Sequence, residues 1–365
     1  MTILIFLGVL FVLILVHEWG HFIVAKKTGM QVDEFAIGFP PKLFGVTKGG
    51  TTYTINLLPI GGFVRIYGEN AEDASLDAKA GADISKSFTS KSKWAQCAVL
   101  IAGITMNILF AWFLFVIVFT HGVPTVVEEG SQGQNATLVV THVLPKSPAD
   151  KAGITVGSTI LSYGETTTAP RTPSAFKSFT STHNGQAVSL VIKTKKGDTK
   201  VSVTPITGLV TDDATLPAIG VALSLVETVS KPFHVAVIEA TKTTFNSLLA
   251  ITKGLGSLLV HIVHRNADLS QVAGPVGMVK LVGEAAEFGF SSLLMFTAII
   301  SLNLAVINLL PVPALDGGRL VFVLIEAIIR RPINPIWVAR VNTTGFVLLL
   351  LLMAAVTYSD IGKLF

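Results

Sequence analysis

The chain has 365 residues, of which 50% are hydrophobic and only 14% are charged. Soluble globular proteins carry about 25% charged residues, so something other than water must cover much of this surface. The composition therefore excludes a disordered, a nucleic-acid-binding or a wholly soluble protein. The net charge of +4 is small, so the positions of the basic residues are more informative than their sum.

The chain contains one cysteine, Cys97. A single thiol excludes an intramolecular disulfide and any metal site built from several thiolates. Because Cys97 stands in an apolar run, we expect an inert buried thiol.

The first apolar segment predicts a membrane-spanning helix over about residues 2–25. Residues 3–16 contain no polar side chain, which is typical of a span. A signal peptide would need a basic start and a small-residue cleavage site, but His17 and Glu18 stand where the cleavage site would be. We therefore predict a helix that is retained.

Three further apolar runs are long enough to cross a membrane. They cover about residues 95–119, 292–310 and 338–356. Four spans place the loop between the first two and the loop between the last two on the same side of the membrane.

These two loops are rich in basic residues, and between Arg319 and Arg340 there is one acid, Glu326. The basic residues are Lys26, Lys27, Lys42, Lys48, Arg65, Lys79, Lys86, Lys91, Lys93, Arg319, Arg330, Arg331 and Arg340. The positive-inside rule makes this side cytoplasmic. We therefore expect both chain ends and the long segment of residues 121–290 to face outward.

The stretch of residues 232–265 is apolar enough to suggest a fifth span, but its polar residues recur at helical spacing. They are Glu239, Lys242, Asn246 and Lys253. This pattern favours an amphipathic helix that lies on the membrane or on the protein. His261 and His264 near its end have the spacing of a metal pair, but interfacial histidines are the more ordinary interpretation.

Residues 17–21, within the first predicted span, read His-Glu-Trp-Gly-His, the pattern H-E-x-x-H. On a helix, histidines four positions apart lie on one face, so both imidazoles can reach one Zn²⁺. Glu18 lies beside them and can take a proton from a metal-activated water. Each ionisable group within a span is unfavourable by roughly 2.5–3.5 kcal/mol, which favours a functional reason for them. The alternative is a pair of buried histidines hydrogen-bonded to backbone.

A second polar element follows the third predicted span. Residues 308–318 read Asn-Leu-Leu-Pro-Val-Pro-Ala-Leu-Asp-Gly-Gly, in which the prolines end the helix and the glycines permit a sharp turn. A catalytic zinc with two histidines needs a third protein ligand, and the candidate lies in this segment, which holds Asn308 and Asp316 at membrane depth. The alternative is that the span simply ends here and Asp316 caps the next helix.

Together the two elements resemble the site-2 protease family of intramembrane zinc metalloproteases, particularly the bacterial regulator of sigma-E protease type. Residues 17–21 fit the family's H-E-x-x-H, and residues 308–317 fit its N-x-x-P-x-P-x-L-D-G. The resemblance implies one Zn²⁺ per chain and assigns roles to eight residues. They are the zinc ligands His17, His21 and Asp316, the catalytic Glu18, and the substrate-binding residues Asn308, Asn107, Gly61 and Gly62.

Three shorter segments occur in family order. Residues 51–69 alternate around a Pro/Gly turn and resemble the family's membrane-re-entrant β-hairpin, whose edge could hold an extended substrate by strand addition. Residues 103–107 resemble the second-span motif G-P-x-x-N, but Ile104 replaces the proline, which bears on helix geometry rather than on the zinc site. Residues 274–277 resemble the segment G-P-V-G before the third span.

Residues 125–206 have the composition of a small soluble domain. The pattern predicts strands over 137–144 and 158–163, a helix over 172–181 and a hairpin over 187–203 that turns at Lys196-Gly197-Asp198. Residues 147–157 resemble a bacterial PDZ domain, with Ser158 where an aspartate is familiar. The resemblance implies a domain that filters or binds substrate ends, and a passive spacer is the alternative.

The expected fold is a polytopic α-helical membrane protein with four transmembrane helices, a membrane-re-entrant β-hairpin and an inserted α+β PDZ-like domain on the outer face. Residues 1–120 and 291–365 would form the two halves of the protease core, and residues 207–290 would connect the domain to the second half.

The resemblance implies a zinc endopeptidase of the bacterial cytoplasmic membrane that acts in regulated intramembrane proteolysis. Its partners would be membrane lipid and single-pass membrane proteins already cleaved by another protease, such as anti-sigma factors or signal-peptide remnants, and not nucleic acid. Two alternatives remain open. A metal transporter would need polar residues that continue to both membrane faces, and a non-catalytic PDZ scaffold would have no use for Glu18.

Overall fold

A computed structural model describes residues 1–69, 83–130, 136–164, 172–194, 197–209, 215–264 and 274–362. The chain divides into two compact units. The helical unit comprises Met1–Val116, Val237–Gly283 and Met295–Phe365, and the sheet unit comprises Ile117–Ala236 and Glu284–Leu294. Lys79 of the basic loop and Lys196 of the predicted hairpin turn lie outside the described residues.

The described residues form α-helices, strands and two short 3-10 helices at Ile84–Lys86 and Phe88–Ser90. The helices are α1 (Thr2–Lys27), α2 (Lys93–His121), α3 (Pro148–Lys151), α4 (Pro173–Ser181), α5 (Phe233–Val263), α6 (Pro275–Glu287), α7 (Phe290–Leu309), α8 (Asp316–Ile329) and α9 (Pro335–Gly362). The strands are β1 (Val32–Lys48), β2 (Thr51–Ile66), β3 (Val123–Val127), β4 (Thr137–Val143), β5 (Thr159–Tyr163), β6 (Val188–Thr194), β7 (Gly197–Val203) and β8 (Val221–Val229).

Four helices in the described part of the chain are long and apolar enough to cross a membrane, namely α1, α2, α7 and α9. The four predicted spans correspond to these four helices. Most of these helices extend a few residues beyond the apolar run, because backbone hydrogen bonding continues into the polar flanks. The amphipathic helix predicted over residues 232–265 is the single helix α5.

Helices α1 and α2 pack with their backbones close together. A Cβ added at Gly20 would lie 2.5 Å from the carbonyl oxygen of Ala102, so only glycine permits this approach. Nearer the start of α2, Cys97 is buried among Ala25, Val99 and other apolar residues, as predicted. The close packing brings residues of α2 within reach of the histidines on α1.

Strands β1 and β2 are joined by a tight turn at Gly49 and Gly50, whose φ angles of 60° and 74° are both positive. Two successive positive φ angles are what a tight hairpin turn requires, and glycine adopts them without strain. The tight turn of this hairpin therefore lies before residue 51.

The pairing of β1 with β2 differs from the hairpin predicted within residues 51–69. Ala36 lies opposite both Thr54 and Phe63, so the two halves of β2 pair with β1 rather than with each other. The prediction was wrong on this point because it left out residues 32–48, which supply the partner strand. Strand pairing depends on the whole set of available strands and not on a local turn signal alone.

The sheet unit contains a six-stranded sheet of order β3-β8-β4-β5-β6-β7 with antiparallel neighbours. The predicted strands, helix and hairpin correspond to β4, β5, α4 and β6–β7. Its core contains Leu138, Ile160, Leu190 and Leu225, each at most 2% exposed.

The sheet unit extends beyond the predicted domain end at residue 206. Strand β8 lies between β3 and β4, although its sequence was assigned to the connecting region of residues 207–290. That assignment was wrong because the composition change near Pro205 marks the end of β7 rather than the end of the sheet. The core of the sheet unit is therefore complete only when β8, the last strand in the chain order, has joined the sheet between β3 and β4.

Candidate metal centre

The two histidines of H-E-x-x-H converge on one face of α1. His17 and His21 are buried, with 7% and 8% of their surfaces exposed. Their Nε2 atoms lie 3.1 Å apart, and their ring centroids are 4.7 Å apart with the planes at 79°. The helical spacing thus aims two imidazole nitrogens at one point.

Asp316 completes this cluster from the opposite end of the chain. Its Oδ2 lies 3.0 Å from His17 Nε2 and 3.4 Å from His21 Nε2. Ligands of a tetrahedral zinc lie about 3.4 Å apart when each is about 2.1 Å from the metal. The three side chains therefore fit a zinc ion, and their ligand atoms all lie within 4.8 Å of one another.

The tight turn before α8 places Asp316 beside the two histidines. A Cβ added at Gly317 would lie 2.3 Å from the carbonyl oxygen of Leu310, and one at Gly318 would lie 2.2 Å from that of Val312. Leu315 is the N-cap residue of α8 and Asp316 is the first helical residue. Asp316 therefore does not occupy the cap position of the alternative interpretation.

Helix α2 contacts His21 at Nδ1, the ring nitrogen that does not face Asp316. The Nδ1 atom lies 2.8 Å from the carbonyl oxygen of Val99. Because a carbonyl only accepts, His21 Nδ1–H donates this hydrogen bond and the lone pair of Nε2 faces the cluster. Gly103 gives the rings their space, since a Cβ there would lie 2.3 Å from His21 Nε2 and 2.8 Å from His17 Cε1.

Glu18 faces a cavity of about 520 Å³ beside the histidines. Its Oε2 accepts a hydrogen bond of 3.1 Å from the backbone N–H of Val64 in β2. Residues of β2 from Phe63 to Ile66 line the same cavity. The Glu18 carboxylate thus lies between the cluster of His17, His21 and Asp316 and the backbone of β2.

The cavity wall also contains an ion pair that the sequence did not indicate. Arg319 of α8 donates from Nη1 to the Glu69 carboxylate and from Nη2 to the Glu69 carbonyl oxygen, the latter at 3.1 Å. The available signals were an arginine three positions after Asp316 and a glutamate just beyond β2. Neither residue predicts an ion pair by itself, because only the fold brings Arg319 and Glu69 together.

The predicted substrate-binding residues occupy different places. Asn308 Nδ2 lies 3.5 Å from His17 Nε2, beside the candidate metal ligands. Asn107 Nδ2 lies 3.3 Å from the other ring nitrogen of His17, and the side chain is fully buried. Gly61 and Gly62 lie in β2 against β1, where a Cβ at Gly62 would lie 2.7 Å from the carbonyl oxygen of Ala36.

Comparison with known proteins identifies relatives along nearly the whole chain. The model of Peptidase family M50 matches residues 5–352. A zinc metalloprotease candidate of Clostridium perfringens is 38% identical over 351 residues, which cover 96% of this chain and 95% of the relative.

Two relatives from other bacteria align with all of this chain and 99% of their own length. The zinc metalloprotease RasP of Oceanobacillus iheyensis is 31% identical over 441 residues. The regulator of sigma-W protease RasP of Bacillus subtilis is 29% identical over 438 residues.

Proposed function

The chain belongs to peptidase family M50, and we propose that it is a zinc-dependent endopeptidase that cleaves transmembrane segments of single-pass membrane proteins. One observation carries the proposal. The ligand atoms of His17, His21 and Asp316 converge at one point, and Glu18 faces the cavity beside them. Two ligands and the acid stand in α1, one of the four helices apolar enough to span a membrane, which favours peptide hydrolysis within the bilayer.

The reaction is divided among few side chains. His17, His21 and Asp316 would hold the metal, which when bound supplies Lewis-acid activation of water and of the scissile carbonyl. Glu18 accepts a proton from the attacking water and delivers it to the leaving amine nitrogen. Its hydrogen bond from Val64 N–H orients the carboxylate toward the cavity.

The substrate would be bound in extended form. A helical segment buries its carbonyls in its own hydrogen bonds, so it must unwind before attack. Residues 63–66 of β2 line the cavity. Val64 N–H is already bonded to Glu18, so an unwound segment would pair with the neighbouring backbone groups of this strand by β-augmentation. Asn308, at the metal cluster, has an amide that can contact the substrate backbone.

The sheet unit would bind the ends of substrates already shortened by another protease, as a PDZ-like domain on the outer face of the bacterial cytoplasmic membrane. A cavity of about 240 Å³ between α4 and the start of β8 supports this role, because it is lined by Phe176, Leu216 and Val221. The Bacillus subtilis relative is a regulator of sigma-W protease, which supports anti-sigma factors as substrates.

The test compares purified wild-type protein with Glu18→Gln and His17→Ala in liposomes that contain a single-pass substrate shortened on its outer side. We expect Glu18→Gln to retain one zinc per chain and to lose cleavage by at least about 10²-fold, because general-base catalysis contributes about 10²–10⁴-fold. We expect His17→Ala to lose zinc and cleavage together.

The control is Glu287→Gln, which removes an exposed carboxylate that does not line the cavity and should leave zinc and cleavage unchanged. Cleavage that persists in Glu18→Gln would overturn the assigned role of Glu18. A transporter would be favoured if the wild-type protein does not cleave the substrate in the presence of zinc but carries zinc across the liposome membrane.

A further inference from the structure

The side chain of Asn107 lies directly behind His17. It is 0% exposed, and its Nδ2 lies 3.3 Å from His17 Nδ1, the ring nitrogen that points away from Asp316. A substrate in the cavity would meet the other side of the ring. The position of Asn107 therefore fits a contact with the histidine better than the contact with substrate expected from the sequence.

The neighbouring histidine shows what such a contact does. His21 Nδ1–H donates to the carbonyl oxygen of Val99, which fixes the tautomer and leaves the Nε2 lone pair free. His17 presents its Nε2 to the same cluster, at 3.0 Å from Asp316 Oδ2. To bind a metal through Nε2 as a neutral ring, His17 must carry its hydrogen on Nδ1, and that N–H needs an acceptor.

The amide of Asn107 can provide this acceptor only through its oxygen. Among the described residues, Asn107 Oδ1 is buried and has no hydrogen-bond partner. The nitrogen and oxygen of an amide have nearly the same shape, so the surrounding hydrogen bonds decide which atom faces a partner. Turning the amide by half a rotation places Oδ1 opposite His17 Nδ1 and gives the buried oxygen a donor.

The backbone at Asn107 is also fixed in place. The Ser301 hydroxyl of α7 donates a hydrogen bond of 2.8 Å to the carbonyl oxygen of Asn107, and Ser301 is fully buried. This contact ties α2 to α7 at the residue that supports His17. An acceptor held in this way restricts both the ring orientation and the tautomer of the histidine.

We propose that Asn107 is a positioning residue whose amide oxygen accepts a hydrogen bond from His17 Nδ1–H and thereby holds Nε2 ready for the metal. The inference rests on the proposed function, since it takes His17 as a zinc ligand. It changes the expected role of Asn107 from substrate contact to support of the metal centre.

The experiment measures zinc affinity by chelator competition in wild-type protein and in Asn107→Leu, Asn107→Ala and Asn107→Asp. Loss of a partner behind a ligating histidine weakens metal binding by about 10–100-fold, which we expect for the leucine and alanine variants. Asn107→Asp keeps an acceptor and loses the donor, so its affinity should stay within a few-fold of the wild type. The absorption spectrum of the Co²⁺-substituted protein should change in the leucine variant and not in the aspartate variant.

The matched control is Thr105→Val, an exposed polar residue on the same helix, which should leave zinc affinity unchanged. The proposal is overturned if Asn107→Asp binds zinc as weakly as Asn107→Leu, because the amide nitrogen would then be the group that matters. It is also overturned if Asn107→Leu binds zinc normally and only raises KM, the result expected of a substrate contact.

Failure of the proposed function would look different. In that case the wild type would bind no stoichiometric zinc, or His17→Ala would retain it. Thermal unfolding of the metal-free variants identifies any that fail to fold, and the agreement of the alanine and leucine variants guards against a steric effect of either one.

Discussion

At the candidate metal centre, the absence of one methyl group at position 103 allows two imidazoles to converge. Gly103 of α2 faces both rings, and its hydrogen occupies the space where a Cβ would meet His21 Nε2 at 2.3 Å. Contacts under about 3.0 Å are not found for real Cβ atoms, so one of the rings would have to move. The residue has no side chain that could act as a ligand, yet the spacing of the ligand atoms depends on it.

Gly103→Ala should therefore separate folding from metal binding. Alanine is favoured over glycine within a helix by about 1 kcal/mol, so we expect the metal-free protein to remain folded. We expect zinc content and peptidase activity to fall together, as measured on purified protein. Gly8→Ala on α1, which meets nothing within 4 Å, is the control and should keep its zinc; normal zinc binding by Gly103→Ala would contradict the steric argument.

The sequence placed His17 and His21 together because histidines four apart on a helix share a face, and the family resemblance added Asp316 as the third side chain. It did not predict the groups behind the rings. Val99 contributes only a backbone carbonyl, for which any residue type would serve, and Gly103 acts through the side chain it lacks. Such contacts depend on how two helices pack, and a residue pattern does not contain that information.

At the scale of elements, helix α6 begins against the side chain of another helix. The Gly277 N–H donates a hydrogen bond of 2.8 Å to Asp360 Oδ2 of α9, and Asp360 is 4% exposed. A Cβ added at Gly274 would lie 2.7 Å from the same oxygen. The G-P-V-G segment thus combines a glycine that admits the carboxylate, a proline suited to the first helical position, and an N–H that binds it.

Asp360→Ala should lower the free energy of unfolding by about 1–2 kcal/mol, because loss of a side chain that caps a helix N-terminus has effects of that size. Asp360→Asn retains an acceptor oxygen and should lose less. Thermal unfolding of the purified variants in detergent measures both. Equal stability of the wild type and the alanine variant would show that α6 does not depend on this bond.

Helices were more predictable than strand pairing. The four candidate spans are apolar runs long enough to cross a membrane, and such a signal depends on nothing elsewhere in the chain. In contrast, β8 joins the middle of its sheet from beyond the predicted domain end, and β1 pairs with both halves of β2. These pairings depend on distant segments, so local alternation located several strands without giving their neighbours.

At the scale of the whole molecule, the distribution of charge makes a prediction about sidedness. The basic residues cluster in the loops before α2 and around α8, and the positive-inside rule places those loops in the cytoplasm. The sheet unit follows α2, so one crossing should put it on the other side. The small net charge of +4 conceals this asymmetry.

Single-cysteine labelling tests the sidedness in a Cys97→Ala background, where no native thiol remains. Lys200→Cys in β7 should react with a membrane-impermeant maleimide in intact spheroplasts. Lys48→Cys and Arg331→Cys should react only after lysis, and all three positions are exposed in the structure. Labelling of Lys48→Cys in intact spheroplasts would contradict the predicted orientation.

The separation of Asp316 from His17 and His21 along the chain has a consequence for biosynthesis. A ribosome releases α1 first, and the third proposed ligand emerges only after the sheet unit and helices α5 to α7 have been made. A nascent or truncated chain would therefore have two of the three proposed ligands and lack the complete centre. With these ligands, a peptidase assembled in this order would remain inactive until its own synthesis is nearly finished.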